Sequence, residues 1–260
     1  MKPNQLVLLL LILLPLNVFA ISDEERGLEI AIESKKRDTG WKDQSSSNTM
    51  TLRNRHGDES IRKNRIKTLE VIGDGDKSVI VFDTPADIKG TAFLTHSHPL
   101  TSDDQWLYLP ALKRIKRISS SNKSGPFMGS EFAYEDIASQ EVEKYRYKYL
   151  KDEQIDGFDT YVLEQYPEYK NSGYTRQIVW MDKKMYQPIK IVFYDRKNSL
   201  LKTLSYSGYQ QYASKYWRPD SMEMVNHQTG KSTTLIWENY KFQSGFSSRD
   251  FDKNSLKRAR

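Results

Sequence analysis

The sequence predicts a mainly β protein built on a large, strongly curved antiparallel sheet. Short segments with the alternation and composition of strands recur at regular spacing from Thr49 to Tyr240. Their connections are rich in turn residues, as at Asp74-Gly75, Asp156-Gly157 and Thr229-Gly230. Strand and helix patterns do not alternate, which argues against a parallel sheet. Because the apolar side of such a sheet must be covered, it either closes on itself or carries a helix across its concave face.

The chain begins with the features of a cleaved export signal, which we assign to residues 1–20. Lys2 precedes the apolar run Leu6–Leu14, and Val18 and Ala20 stand three residues and one residue before the expected cleavage point. The run is shorter than the roughly 20 apolar residues that cross a bilayer. We therefore expect a single mature domain, residues 21–260, in the bacterial periplasm and without a transmembrane segment.

Composition excludes several classes of function. The sequence contains no cysteine, which excludes disulfide scaffolds, thiol nucleophiles, Cys-ligated metals and the acylated cysteine of a bacterial lipoprotein. The formal net charge is +6, which favours anionic surfaces as partners without identifying nucleic acid. Because an exported chain rarely meets DNA, we predict no nucleic-acid partner.

The first predicted element of the mature chain is a helix. Ser22 and Glu25 have the spacing of a capping box, and Gly40 ends the pattern after a basic last turn. Leu28, Ala31 and Ile32 can share one face of this helix.

A long series of short strands follows the helix. Within Glu141–Leu150 the alternation predicts that Tyr145, Tyr147 and Tyr149 share a face. The basic stretch that begins at Leu256 is predicted to be a frayed terminus. The predicted strands are Thr49–Arg55, Ser60–Ile72, Ser78–Asp83, Gly90–Thr95, Gln105–Leu109, Arg114–Ser119, Glu141–Leu150, Thr160–Tyr166, Arg176–Met181, Ile189–Tyr194, Leu200–Tyr209, Ser221–Asn226 and Thr233–Tyr240.

Catalytic signatures are weak. His96 and His98 would project to the same side of an extended segment, but they lie in a predicted loop and lack a settled third ligand. There is no Gly-x-Ser-x-Gly motif. The adjacent carboxylates Glu135 and Asp136 are more typical of solvated or ion-paired groups than of acid–base catalysts. We predict no enzyme activity, no cofactor and no metal, with a metal-dependent enzyme using the two histidines as an alternative.

The densest basic run is Lys113–Ile118. In a strand, its alternation places positive charge on both faces, which is typical of an exposed edge strand. Such a run either protects the edge from pairing or binds an anion.

One long stretch, Asp103–Ile137, resembles a known family. The matching elements are Asp104–Pro110, Arg114, Arg117, Phe127–Ser130, Phe132 and Tyr134–Asp136, with Pro85 and Gly90–Leu94 before them. These motifs are similar to those of bacterial outer-membrane lipoprotein-sorting proteins, relatives of the periplasmic carrier LolA and its acceptor LolB.

The resemblance implies an antiparallel β half-barrel whose helices cover an apolar cavity. It also implies a non-catalytic role in carrying or receiving a lipid, or the acyl chains of a lipoprotein, between envelope membranes. The implied protein partners are an inner-membrane transporter, for example of the resistance-nodulation-division type, or an outer-membrane acceptor. A protein that docks on such an envelope complex without carrying lipid is the alternative.

Candidate site residues come from the same stretch. Apolar side chains at these positions are also typical of an ordinary core. We expect the segment 124–137 to form a plug or lid, anchored by Glu135 and Asp136 through pairing with the basic strand. The candidates for lining a cavity or lid are Trp106, Tyr108, Phe127, Met128, Phe132 and Tyr134, and those for rim or anchoring charges are Arg114, Arg117, Glu135 and Asp136.

Overall fold

Helix α1 (Asp23–Arg37) opens the part of the chain described by the structure, residues 21–258 of a computed structural model. The predicted capping box is present: the Ser22 hydroxyl accepts from the Glu25 amide, and the Glu25 carboxylate accepts from the Ser22 amide. The predicted export signal lies outside the described residues. Within the described residues, no helix has the length and apolar composition needed to cross a bilayer.

Fifteen strands follow in the described part of the chain, and they include all the predicted ones with shifted ends. They are β1 (Asp43–Arg53), β2 (Glu59–Leu69), β3 (Lys77–Thr84), β4 (Ala92–His96), β5 (Asp104–Leu109), β6 (Arg114–Ile118), β7 (Tyr145–Ile155), β8 (Phe158–Pro167), β9 (Tyr174–Asp182), β10 (Pro188–Asp195), β11 (Leu200–Ser207), β12 (Gln210–Tyr212), β13 (Tyr216–Arg218), β14 (Ser221–Asn226) and β15 (Ser232–Phe242). A short helix α2 (Tyr134–Ile137) lies between β6 and β7.

Thirteen of these strands form one open, curved antiparallel sheet in the order β6-β5-β4-β3-β2-β1-β15-β14-β11-β10-β9-β8-β7. The first and last strands therefore pair in the middle of the sheet, and β6 and β7 form its two edges. Strands β12 and β13 form a separate two-stranded ribbon. The predicted mainly β fold with a strongly curved antiparallel sheet is confirmed, whereas the ribbon was missed.

Helix α1 packs against β7, and the face predicted from Leu28, Ala31 and Ile32 is only partly buried. Gly27, Ile30 and Ala31 are buried, whereas Leu28 and Ile32 are 42% and 50% exposed. A Cβ atom at Gly27 would lie 2.8 Å from the backbone nitrogen of Tyr149. The absent side chain allows the helix to approach the strand closely, with Ile30 in the core and Leu28 and Ile32 turned outward.

The two faces of the sheet are covered by different parts of the chain. Alternation within β3–β5 sends Phe82 and Phe93 to the concave face and Val81 and Leu94 to the convex face. The convex residues pack against the C-terminal 3₁₀ turns, where Leu256 is fully buried. The prediction of a frayed terminus from Leu256 is therefore wrong for the described residues, because this leucine covers the sheet.

Residues 119–144, here named the plug segment, connect the two edges of the sheet. Because β6 and β7 lie at opposite edges, this connection must cross the whole sheet. It does so on the concave face, where Phe127 and Phe132 join the main core. The topology explains why the segment mixes turn residues with large apolar side chains.

Candidate functional site

A cavity of about 380 Å³ remains on the concave face beside the plug segment. Strands β1–β3 supply its floor, and β11, β14 and β15 supply one side wall. The plug segment closes another side, and the ribbon with the residues that flank it completes the enclosure. This volume lies within the range of about 300–1,000 Å³ that is typical of small-molecule sites.

One wall of the cavity is aromatic. Trp237 stacks on Tyr240 with ring centroids 6.1 Å apart, and its Nε1 donates to the Met222 sulfur at 3.2 Å. Tyr206 and Tyr209 form a second stacked pair at 6.4 Å. Such rings offer large apolar surfaces with polar edges, which suits an amphipathic ligand. The aromatic residues that line the cavity are Trp41, Tyr206, Tyr209, Trp217, Trp237, Tyr240, Phe127 and Phe132.

The floor of the cavity carries both polar and apolar side chains. Asn48 and Asn64 are directly opposite each other on β1 and β2, and Asn64 Nδ2 donates to Asn48 Oδ1 at 2.8 Å. Both side chains are largely removed from solvent, with 6% and 2% exposure. The other polar floor residues are Gln44, Ser46, Thr68 and Ser78, and the apolar floor residues are Met50, Ile66 and Ile80. The floor therefore offers hydrogen-bonding groups beside apolar surface.

Charged groups also line the cavity. Asp38 accepts a hydrogen bond from Arg218 at 2.7 Å, while burial raises the pKa of Asp38 and the arginine opposes that shift. Burial raises the pKa of Asp76 to about 6, although the positive charge of Lys35 acts in the other direction. Asp76 also accepts a hydrogen bond from the Val71 amide. Asp76 is therefore a cavity-lining group whose protonation changes near pH 6.

The plug segment is held by packed rings. Phe127 is fully buried, and its ring centroid lies 5.0 Å from that of Phe93 and 5.6 Å from that of Tyr134. Phe132 is buried to a similar degree. These aromatic contacts fix the plug against β3 and β4.

Two buried carboxylates of α2 tie the plug to the other half of the sheet. Asp136 pairs with Lys202 of β11 at 2.7 Å and accepts from the Tyr174 hydroxyl at 2.8 Å. Glu135 accepts from the Tyr169 hydroxyl and from the Gly173 amide, at 2.9 and 2.8 Å. Burial, with the nearby Asp136 charge, raises the pKa of Glu135, and these hydrogen bonds oppose the shift.

Comparisons with known proteins agree with this architecture. A crystal structure of a "putative outer membrane lipoprotein-sorting protein domain" from Vibrio parahaemolyticus is 60% identical, with a TM-score of 0.89, and covers 90% of this chain and 99% of that one. The chain belongs to the outer membrane lipoprotein-sorting protein family. The family assignment predicted from the sequence is confirmed.

Two further crystal structures are similar to this lipoprotein-sorting family member. A DUF1329 family protein from Desulfovibrio piger is 31% identical, with a TM-score of 0.86, and covers 91% of this chain and 100% of that one. A LolA superfamily protein from Nitrosomonas europaea is 21% identical with a TM-score of 0.71, covers 90% of this chain and 99% of that one, and shows a shared fold. Residues 74–258 match a family described as "Uncharacterized protein". A comparison with curated proteins gives no match.

The family motif residues do not all reach the cavity. Phe127 and Phe132 line it. Tyr134 and Met128 pack at the edge of the main core, and the Met128 carbonyl accepts from Arg62. Trp106 and Tyr108 lie on the convex face, packed with the C-terminal residues, so the structure separates them from the cavity. Alternation along β5 sends these two outward, while Leu107 between them points inward.

The charge pairs in the structure also differ from those expected from the sequence. Arg117 pairs with Asp104, and Arg114 is exposed on the edge strand. Glu135 and Asp136 do anchor the plug, but their partners come from β8–β9, β9 and β11 rather than from the basic strand. Because the plug segment crosses the sheet, the carboxylates of α2 meet strands that are distant in sequence.

The two histidines of the predicted loop have structural partners. His96 Nε2 lies 2.8 Å from the Phe251 carbonyl oxygen, and His98 Nδ1 lies 2.9 Å from Asp74. The first contact joins β4 to the C-terminal turns, and the second braces the loop after β4.

Sequence reasoning missed several cavity residues. The floor lies in the polar stretch Asp43–Asn48, where serines and an asparagine give no strand signal, although their alternation continues that of β1. Trp217 and Arg218 come from the three-residue strand β13. Lys202, which does not line the cavity but pairs with Asp136, is an ordinary lysine in sequence, and this buried contact joins residues 66 positions apart.

Proposed function

We propose that this lipoprotein-sorting family member binds a lipid, or the acyl chains of a lipoprotein, in the cavity and transfers it between envelope membranes without catalysis. The site of action is the periplasm, which the predicted export signal and the absence of cysteine favour. The observation that carries the proposal is the aromatic and apolar cavity of about 380 Å³ enclosed by sheet, plug and ribbon.

The energetics suit a carrier. Removing an acyl chain from water contributes about 0.8 kcal/mol per methylene, so a chain of about 14 methylenes gains on the order of 10 kcal/mol before ordering costs. Aromatic walls and the flexible thioethers of Met50 and Met222 adapt to cargo of variable shape. A carrier requires only that the acyl chain is buried and that the chain can later be released.

The carboxylates of the cavity support the non-catalytic role. Asp38 is engaged by Arg218, and Asp136 is engaged by Lys202 and Tyr174. Asp76 accepts from a backbone amide. Each of these carboxylates therefore has a structural partner.

Ligand binding to the purified mature protein tests the proposal. Native mass spectrometry should show a co-purified lipid, and titration with fatty acids should change the intrinsic fluorescence, because Trp41, Trp217 and Trp237 line the cavity. Trp237→Ala should weaken binding about tenfold or more. Trp180→Ala, on the convex cluster formed with Val162 and Ile178, is the matched control. A protein that carries no lipid and ignores fatty acids and acylated peptides contradicts the proposal.

A second role is favoured by the edge strand β6. Arg114 and Lys116 are exposed there, and the side chain of Arg117 is 69% exposed. This basic edge suits docking on an acidic surface of an inner-membrane transporter or an outer-membrane acceptor. Crosslinking in cells separates the roles, since a stoichiometric partner that captures lipid-free protein favours docking without cargo.

A further inference from the structure

A second depression, here named the convex pocket, lies on the face of the sheet opposite the cavity. It has a volume of about 260 Å³ and lies between strands β2 and β3 and the C-terminal 3₁₀ turns, Ser248–Phe251 and Lys253–Arg258. Val79 and Val81 of β3 form an apolar part of its lining. Among the described residues, none lines both the cavity and the convex pocket, so the two are separate sites.

The lining of the convex pocket is strongly basic. Among the described residues, it holds four cationic side chains and one acidic side chain, Asp250. The Asp250 carboxylate accepts from the amide and the hydroxyl of Ser247, at 2.8 and 3.1 Å, so it also caps the first of the two turns. The excess of positive charge around a depression creates a positive potential that attracts anions. The four cationic residues are Arg65 and Lys67 of β2 and Arg249 and Arg258 of the turns.

Alternation along β2 brings Arg65 and Lys67 to this face. Ile66 between them lines the cavity on the other side of the sheet, so its two neighbours point outward. Arg65 pairs with Asp83 of β3 at 2.8 Å, and Lys67 Nζ lies 4.8 Å from the ring centroid of Phe246. These contacts hold both side chains at the rim of the convex pocket.

The two arginines of the turns are carried by a packed segment. Phe251 and Leu256, with 1% and 0% exposure, pack on the convex face of the sheet, and the Phe251 carbonyl oxygen lies 2.8 Å from His96 Nε2. The side chains of Arg249 and Arg258 are exposed, but their backbone is therefore fixed relative to β2 and β3. Cations that the fold already brings together need little further ordering when they bind an anion.

We infer that the convex pocket binds a phosphate group, with Arg249 and Arg258 on one side and Arg65 and Lys67 on the other. A guanidinium group presents a planar fork of donors that matches phosphate oxygens. Phosphate oxygens are arranged tetrahedrally, so they accept from donors on two sides at once. The organic part of a phosphoester would lie against the two valines of the lining. The phosphate comes either from a soluble phosphoester or from the headgroup of an anionic phospholipid, and the inference does not depend on cargo in the cavity.

Two probes test the mature protein. Calorimetric titration with glycerol 3-phosphate tests the soluble source, and cosedimentation with phosphatidylcholine vesicles, with and without phosphatidylglycerol, tests the headgroup source. In the arm that shows binding, Arg249→Ala/Arg258→Ala should weaken it about tenfold or more, because charge-assisted hydrogen bonds are lost. Lys67→Gln, which removes a cation from the sheet side, should weaken it about three- to tenfold.

A matched control separates the pocket from the overall charge. Lys170→Ala/Lys197→Ala removes two exposed cations on the β8–β9 and β10–β11 connections, so the net charge changes by the same amount. Binding should stay within about twofold of the wild-type value, because charges far from the phosphate are screened by salt. Fatty-acid binding should be unchanged in every variant, since none of these residues lines the cavity.

Binding that saturates, that the double arginine variant weakens and that the lysine control retains supports the inference, and the arm that shows it identifies the source. If the double arginine variant fails to fold, Lys67→Gln decides in the same way. The absence of binding in both arms, or equal weakening in the lysine control, overturns the inference, and these cations then form a solvated face. Neither result alters the fatty-acid titration, so a failure of the proposed function is recognised separately.

Discussion

The two parts of the concave face differ in what covers them: the plug segment covers one part, and a cavity lies over the other. Under the plug segment, the sheet meets the chain's own phenylalanines and a buried ion pair between Lys202 and Asp136. Over β1–β3 and β14–β15, the sheet meets a cavity with an aromatic wall and a floor of polar and apolar side chains. The same curved sheet therefore serves as a packed core in one part and as a receptor in the other.

This difference follows from the topology. The connection between the edge strands β6 and β7 must cross the sheet, but residues 119–144 are too few to cover all of it. The covered part is stabilised by the chain's own contacts. The uncovered part faces the cavity instead, and its lining combines aromatic and apolar side chains with polar ones. Substitutions in the two parts should therefore have separable effects.

The largest expected effect comes from the buried ion pair. Lys202→Met leaves Asp136, whose side chain is 7% exposed, without its cation. We expect the free energy of unfolding in urea to fall by about 3–5 kcal/mol, because an uncompensated buried charge remains. Lys202→Met/Asp136→Leu should recover most of the loss, and the exposed Lys231→Met is the control. A loss below about 1 kcal/mol for the single variant would contradict the role of this pair.

A comparable loss of unfolding free energy is expected where the plug segment is held by apolar contacts. Phe127→Ala removes a fully buried ring that contacts Phe82, Phe93 and Tyr134. Its cost should be about 3–5 kcal/mol, measured by thermal or urea unfolding. Met128→Ala, at a half-buried neighbouring position, should cost less than half as much. Equal losses would show that the plug is held by its backbone contacts instead.

A smaller effect is expected at the helix. Gly27→Val places its Cβ 2.8 Å from a backbone nitrogen of β7, so α1 must shift outward. Overpacking of this kind costs about 1–3 kcal/mol. Hydrogen exchange should increase within α1, while ligand binding in the cavity stays near its wild-type value. Leu28→Ala, on the exposed side of the same helix, is the matched control, and unchanged exchange in the valine variant would refute the close packing.

The smallest expected effect is a pH dependence of the unfolding free energy, which arises from Asp76 in the lining of the cavity. The folded-state pKa of Asp76 is about 6, above its usual value of 3.8. Between these values the folded chain holds a proton that the unfolded chain has released, so this group's stabilising contribution is lost as the pH rises through 6. Relative to the wild type, Asp76→Asn should gain up to about 2 kcal/mol of unfolding free energy between pH 4.5 and 7.5.

Parallel unfolding curves for the two proteins across that pH range would contradict the prediction for Asp76. Because Asn keeps an oxygen for the Val71 amide, the comparison isolates the charge.

Most of the fold is predictable from local signals along the chain. The capping box at Ser22, the alternation in strands such as Ser221–Asn226 and the turn residues between strands all act within a few positions, so they are readable without the tertiary structure. The three-residue strands β12 and β13 are too short to show a period. Which face of α1 is buried depends on the absence of a side chain at Gly27, and a pattern of hydrophobic residues does not reveal that dependence.

The candidate site was less predictable, because alternation tells which residues share a face but not which face is concave. Trp106 and Tyr108 share one face of β5, as alternation requires, yet that face is the outer one. Phe127 and Phe132 reach the cavity because the plug crosses the sheet. The partner of Asp136 lies on β11, and only the strand order brings Lys202 beside it.

The strand order also bears on how the molecule is made. Strands β1 to β6 form one consecutive meander, and β15 completes the other half by pairing with β1. During synthesis from the N-terminus, β1 lacks that neighbour until nearly the whole chain has emerged. Pairings so distant in sequence form slowly. The cavity floor on β1 and β2 is therefore expected to acquire its aromatic wall, part of which β15 carries, only late in folding.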